Sequence, residues 1–285
     1  MSAFTNKIDF VALVTVKKAN PNGDPLNGNR PREDYDGYGE ISDVCIKRKI
    51  RNRLQDMGES IFVQSADRCD DGAKSLSDRA GTDENLKKAL KNKDTDKYAE
   101  IACQKWMDVR SFGQVFAFKG ESVSIGVRGP VSVRTAVSID PIDIVTMQIT
   151  KSVNSETKKD GGKSSDTMGS KNRVEFALYK ICGSINHQLA EKTGFSDEDA
   201  EKIKEALTTL FENDASSARP DGSMEVKAVY WWKHNCAMGQ YSSAKVHESL
   251  QVVKKDGIEM PRKFEDYTIS LAKLDGLEPQ IIEGR

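Results

Sequence analysis

Three observations predict an α+β fold built on a ferredoxin-like, RRM-type antiparallel sheet: a wholly apolar opening strand, a capped helix after it, and the order strand, helix, strand, strand, helix, strand that follows, with insertions. Sheets of this class leave one face open, and RNA-binding modules use that face.

Residues 8–17 are apolar at both alternations: Ile8, Phe10, Ala12, Val14 and Val16 against Val11, Leu13 and Thr15. That pattern reads as a central strand covered on both sides. Residues 20–32 follow as Asn-Pro-Asn-Gly-Asp-Pro-Leu-Asn-Gly-Asn-Arg-Pro-Arg, a run of turn-forming residues. Ser42 is then the expected N-cap of a helix, with Asp43 in its first turn and Ile46, Ile50 and Leu54 recurring every four residues. The remaining positions carry Lys47, Arg48, Lys49, Arg51 and Arg53, a cationic face apart from the core face.

Residues 61–64 read as a short strand, and 67–97 as a charged surface insertion with a helix near 85–90. The spacing predicts a second helix over 96–109, with Ile101, Lys105, Trp106 and Val109 on one stripe and Gly113 at its exit. Strands are expected at 115–118, 123–127, 131–139 and 142–150. Val153 and Met168 are the large apolar residues of 151–173, which reads as an extended hairpin or mobile arm. Residues 174–189 read as a helix, with Leu178, Ile181, Ile185 and Leu189 at helical spacing. Ser196 caps the next helix with Asp199 at the capping-box position and Ile203, Leu207, Leu210 and Phe211 turned inward. Residues 224–232 and 246–253 are expected strands. Trp231 and Trp232 must point to opposite faces, and both are expected to pack.

Net charge is −1 with 31% charged residues, so a polyanion surface must be local. Residues 47–53 are basic and 196–214 acidic, which suits a nucleic-acid face with an acidic back. In the 20–32 loop, Arg30 and Arg32 can fork onto phosphates while Asn22 and Gly23 offer backbone amides. Lys47, Arg48 and Arg51 fall together in helical projection and are the preferred phosphate contacts of the helix. Met168, a lone apolar residue in a polar arm, is expected to wedge against a base or a neighbour.

Enzyme chemistry is poorly supported. Gly162-Lys163-Ser164 resembles the end of a phosphate-binding loop, but the first glycine of that pattern would fall at Thr157. Ser155–Lys158 with Lys192–Gly194 matches β-lactamase-type motifs only by chance. The three histidines lack metal-ligand spacing and suggest no triad, and no cofactor is expected. Five scattered cysteines without a CxxC are expected to be buried free thiols in a reducing cytoplasm. No signal peptide or membrane-length apolar run is present. Ile282-Glu283-Gly284-Arg285 matches a common protease-tag site and is assigned no functional weight.

The same residues carry a family likeness. Residues 20–25, Gly28-Asn29-Arg30-Pro31-Arg32 and 42–52 closely resemble the opening of the backbone subunit of type I CRISPR surveillance complexes (Cascade), in its I-C form. Asp108–Gly113, Gly129-Pro130-Val131 with Ser138–Pro141, Asp166–Lys171 and Arg219–Met224 are similar to that family's later segments, in order and over nearly the whole chain. The resemblance implies a single domain, 1–285: an RRM-like palm, a helical insertion at 66–111 and a protruding thumb hairpin at 146–173. It also implies copies stacked head to tail along a CRISPR guide RNA (crRNA), which is presented for pairing with target DNA. The other implied partners are the large subunit and a guide-processing end-cap subunit, with no membrane and no nuclease activity. The expected RNA contacts are Asn22, Gly23, Asn29, Arg30, Arg32, Lys47, Arg48, Arg51, Arg110, Arg134, Met168, Lys171 and Arg173. Related type III backbone subunits cut RNA with an aspartate in the loop after the first strand. Asp24 lies in such a loop, so a metal-dependent ribonuclease, with Asp34 or Asp36 assisting, is the alternative. A weaker one is an enzyme binding a small phosphorylated molecule through the Gly/Asn loop.

Overall fold

A computed structural model describes residues 2–118, 124–150 and 168–285. Strand β1 (Ile8–Ala19) leads into a tight hairpin of β2 (Gly23–Asp24) and β3 (Arg30–Pro31), then β4 (Tyr38–Ile41) and α1 (Asp43–Asp56). Four helices follow: α2 (Leu76–Gly81), α3 (Glu84–Lys91), α4 (Thr95–Lys105) and α5 (Met107–Phe112). Next come β5 (Gly113–Phe116), β6 (Ile125–Arg128), β7 (Val131–Val133), β8 (Ala136–Pro141), β9 (Ile144–Thr150) and the long β10 (Met168–Ile185). Helices α6 (His187–Thr193) and α7 (Asp197–Thr208) precede β11 (Met224–Lys233), α8 (Ser243–Ser249), β12 (Leu250–Lys254), β13 (Tyr267–Leu271) and β14 (Gln280–Glu283).

The main sheet runs β14-β11-β1-β10-β8-β4, with β7 and β9 also paired to β10. All its pairings are antiparallel. The path β1–α1–β8–β10–α7–β11 is the expected split βαβ unit, with β1 at the centre. Its centrality follows from two apolar faces. Phe10, Ala12, Val14 and Val16 join Ile46, Ile50 and Leu54 of α1 and Ile203 and Leu207 of α7 in one core. Val11 and Leu13 join Leu178, Trp232, Val246, Leu250, Val252 and Tyr267 in a second. Trp231 and Trp232 divide between the two cores, as their alternation requires.

That second core overturns one expectation. Over β1, β10 and β11 the second face of the sheet is covered by α8 and the β12–β13 hairpin, and Phe176, Tyr230 and Trp232 are buried there and offer no platform for bases.

Four element assignments also change. Residues 174–185 are strand rather than helix: β10 pairs with β1 from Val174↔Ala19 to Ile185↔Ile8. Tyr179 and Ile181 face one core while Phe176 and Leu178 face the other, so a strand buried on both faces had imitated helical spacing. Residues 246–253 are the end of α8 and then β12; Ser242 caps the helix by accepting a hydrogen bond from Lys245 N. The 96–109 helix is broken at Trp106 (φ −118°, ψ 121°) into α4 and α5. Residues 61–64 form no strand, since Phe62 N and Val63 N donate to the Asp108 carboxylate instead of a ladder. The C-terminal residues are structural as well: β14 pairs with β11, and Ile282 packs on the first core.

The cysteines are less uniform than expected. All five are free, but only Cys103 is buried, where desolvation pushes its thiol up to about 11, and Cys236 is exposed. No helix among the described residues is long and apolar enough to cross a membrane.

Helices α3–α5 build a third core with the 61–64 segment, β5 and β6, from Phe62, Leu86, Tyr98, Ala102, Trp106, Val109, Phe116 and Ile125. Gly113 links α5 to β5 at φ 79°, ψ 169°, a region open almost only to glycine. A Cβ there would lie 2.3 Å from Val127 O and 2.7 Å from Gly129 N. Gly113→Ala should therefore cost ~1–3 kcal/mol of backbone strain and a further ~1–3 kcal/mol of overpacking, read as a lower urea midpoint. An unchanged midpoint would show that the junction yields.

Candidate nucleic-acid interface

Antiparallel register brings three distant segments to one end of the sheet. Where β1 ends at Ala19, its partner is Val174 at the base of the β9–β10 hairpin, and on the other side Val16 faces Met224 at the start of β11. Lys17 N donates to Ser223 O (2.8 Å), Asn20 N to Ala218 O (2.9 Å) and Asn172 Nδ2 to Gly28 O (3.2 Å). The 20–32 loop, the arm base and the 219–223 turn thus lie side by side.

The asparagines and glycine of the loop build it. Asn22 Oδ1 accepts from Ser42 N (2.9 Å) and Ser42 Oγ (2.8 Å), which bolts the loop to the N-cap of α1. Asn20 Nδ2 donates to Asn29 O at 2.6 Å. Asn29 adopts φ 56°, and its side chain lies over Gly23, where a Cβ would fall 2.0 Å from Asn29 Oδ1. Asn22 therefore holds the loop through its side-chain oxygen, Asn29 through its backbone carbonyl, and Gly23 through the room it leaves for the Asn29 side chain. Asp24 Oδ1 accepts from Leu26 N (3.2 Å) and sits 3.5 Å from Arg32 Nη2. Asp34 Oδ1 accepts from Asp36 N (3.0 Å) and Tyr38 N (2.8 Å). Both carboxylates act as turn caps. Among the described residues, no three His, Cys, Asp or Glu side chains are grouped to hold a metal ion.

The cations of the loop are held loosely. Arg30 Nε is 3.6 Å from Glu33, and Arg32 Nε is buried without a partner. On the arm base, Arg173 Nη2 reaches Glu175 at 3.1 Å while its Nε is also buried and unpaired; Lys171 is half-buried and Met168 exposed. Four of the eight buried side-chain atoms without a hydrogen-bond partner among the described residues lie here, on Asn20, Arg32, Arg173 and Ser223. Such atoms each cost about 1–3 kcal/mol unless something pairs with them. Lys17 and Lys18, exposed at the end of β1 and without an ion-pair partner among the described residues, extend the cationic surface. Sequence reading passed over them, although two lysines directly after an apolar strand were the available signal.

Helix α1 contributes less free charge than its sequence suggests. Lys47 pairs with Asp43 (3.0 Å), and Arg48 Nη1 donates to Val63 O (2.5 Å). Arg51 Nε pairs with Asp108 Oδ2 at 2.9 Å, and Lys49 is buried against Asp214. Arg53 bonds Thr209 and pairs with Asp56 and Glu212. The acidic partners were invisible in the run itself because most come from distant segments. Of the three preferred contacts only Lys47, in a surface pair worth about 0.2–0.5 kcal/mol, is readily released.

Two other expected contacts lie off this end. The Arg110 guanidinium grips Asp199 bidentately (3.0 and 2.8 Å), clamping α5 to the capping box of α7. Arg134 lies beside Cys182, eight residues along β10 from Val174, or about 26 Å at strand rise. Its side chain has no partner among the described residues and lines a separate cavity of about 420 Å³ with Lys180, His247 and Glu248.

Asp9, His234 and Ser243 also meet, a triad-like trio that sequence spacing did not reveal. It is structural: His234 is buried, with Nε2 2.8 Å from Asp9 Oδ2 and Nδ1 accepting from Gln240 N at 2.9 Å. Neither ring nitrogen is left to act as a base.

The 20–32 loop, the arm base and the end of β1 thus gather their cationic side chains at one end of a ferredoxin-like antiparallel sheet. The family model for CRISPR-associated protein Cas7 matches residues 6–272, and the chain belongs to that family. It is 26% identical over 234 residues to a "CRISPR-associated protein Cas7" of Haloferax volcanii, covering 74% of this chain and 66% of that relative, just under two thirds. Its fold is similar to a chain of a "CRISPR RNA-guided surveillance complex, pre-nicking" (TM-score 0.52, 16% identity, 85% of this chain and 80% of the other).

Proposed function

We propose that this chain is a non-catalytic backbone subunit, of the I-C kind, that binds crRNA and holds it for pairing with target DNA. Copies follow one another head to tail along the guide, flanked by the large subunit and a guide-processing end-cap subunit in the cytoplasm. The observation that carries this reading is the convergence of the 20–32 loop and the arm base, with their incompletely paired guanidiniums, at one end of the sheet. Arg30, Arg32, Lys171 and Arg173, joined by Lys17 and Lys18, follow the phosphates; Asn22, Gly23 and Asn29 shape the loop that presents them. Lys47 lies at the flank, while Arg48, Arg51 and Arg110 hold the scaffold. The β9–β10 ladder, from Thr150↔Met168 to Ile144↔Val174, is the stem of the thumb. The arm segment 151–167 lies outside the described residues.

The salt dependence of binding to unrelated single-stranded RNAs tests this. Replacing Lys17, Arg32 and Lys171 by Ala should weaken binding whatever the sequence and lower the slope of log K against log salt by about 0.7 per lost contact. An unchanged slope would remove this end from the RNA path. Labelled RNA incubated with Mg²⁺ should stay intact, because the Asp24 and Asp34 carboxylates already accept backbone amides. Cutting that vanishes in Asp24→Asn would restore the ribonuclease reading.

A further inference from the structure

The tip of the β2–β3 hairpin holds an apolar side chain in the open. Leu26 is 96% exposed. Isolated exposed leucines are common and mean little alone. This one differs in being held rigidly. Leu26 N donates to Asp24 Oδ1, while Asn27 N (3.1 Å) and Asn29 N (2.8 Å) both donate to Asp24 O, and Arg30 N donates to Asn27 O (3.0 Å). Gly28 (φ 57°) and Asn29 (φ 56°) take left-handed conformations that close the turn. The interlock of Gly23 with Asn29 and the bond from Asn172 to Gly28 O then fix the tip against the arm base. Leu26 therefore cannot fold back onto a core.

Its surroundings discriminate between occupants. Arg30 and Arg32 lie on the same hairpin, and Asn172, which bonds the tip, shares its face of the arm with the exposed Met168, while Lys171 and Arg173 alternate to the other face of that strand. Tyr35, on the next turn, is just as exposed but sits among Glu33, Asp34 and Asp36, which repel phosphates. An apolar tip in a cationic setting suits a polyanion that also carries apolar faces, which is single-stranded RNA with an unstacked base.

We propose that Leu26 packs against an unstacked guide base, forming with Met168 the two apolar tips of the RNA path. The contact reads the face of a base and not its identity, and it rests on the guide path proposed above. It is tested with the full chain and guide-length RNAs carrying 2-aminopurine at one position at a time. Wild type should raise the emission at spaced positions. Leu26→Ala should abolish the rise at one position per bound copy and raise Kd up to about tenfold, with the salt slope unchanged and thermal unfolding unaltered. Leu26→Met should restore the emission. If Leu26→Ala leaves emission and affinity unchanged while wild type binds RNA, Leu26 is no wedge and the guide path stands. If Leu26→Ala alters only self-association in sedimentation, the tip is a protein contact and the proposal falls. Failure of wild type to bind RNA would overturn both this contact and the guide path beneath it.

Discussion

Asp108→Ala should lower the unfolding free energy by about 3–5 kcal/mol, the loss expected when one member of a buried ion pair is removed. The Asp108 side chain is 1% exposed, and its carboxylate accepts from Phe62 N (2.7 Å), Val63 N (3.0 Å) and Arg51 Nε (2.9 Å). Alanine would strand the Arg51 guanidinium, which lies 5.0 Å from the centre of the Phe112 ring, and leave two backbone amides unpaired. The carboxylate therefore ties α1, the 61–64 segment and α5 together, and its loss should loosen the insertion first. Asp108→Asn keeps an acceptor without the charge and should fall between the two. Chemical denaturation measures this; an alanine variant within about 1 kcal/mol of wild type would show that the hub is not needed.

Asp9→Ala should be comparably severe, at about 3–5 kcal/mol. Asp9 is fully buried, 2.8 Å from His234 Nε2 and 3.0 Å from Lys7 Nζ. Burial pushes its carboxyl up, but hydrogen bonds from His234, Ser243 and Lys7 outweigh that and hold it below the usual carboxylate range. A depressed carboxylate stabilises the fold above its unfolded value near 3.9 and ceases to do so as pH falls through its folded one. His247 works in the same direction. Burial, with Arg134 and Lys180 nearby, depresses it against the bond to Gly183 O and the field of Asp9, so the fold holds it neutral. As pH falls below about 6.5, the unfolded chain takes up that proton first and stability declines. Wild type should accordingly lose stability in two acid stages, and Asp9→Ala should show a smaller lower one, since Asp71, Asp83 and other depressed carboxylates share it. A variant with the wild-type profile below pH 4 would assign the acid loss to other carboxylates.

The legible parts of the chain were those whose local pattern and tertiary role coincide. Ser42, Ile46, Ile50 and Leu54 specify α1, and the Ser196–Asp199 box specifies α7, because caps and helical stripes act within a few residues. β1 was legible because two apolar faces demand two cores. The same two-sidedness made β10 illegible: once both faces are apolar, periodicity no longer separates strand from helix, and only the ladder to β1 decides. Helix α8 was lost for a similar reason, being a seven-residue element whose apolar positions merge with those of β12.

For the site the division is sharper. Sequence alone determined the backbone of the loop, since Gly28 and Asn29 adopt positive φ, and located the motifs of the family. It also listed the cations. Which of them remain available was decided by tertiary structure, because a cation is neutralised by whatever carboxylate the fold brings within 4 Å. Asp108, Asp199 and Asp214 reach Arg51, Arg110 and Lys49 from 57, 89 and 165 residues away. Lys17 and Lys18 meet no such partner among the described residues, and the antiparallel register sets the end of β1 against Phe176 and Val174, next to Arg173 in the chain.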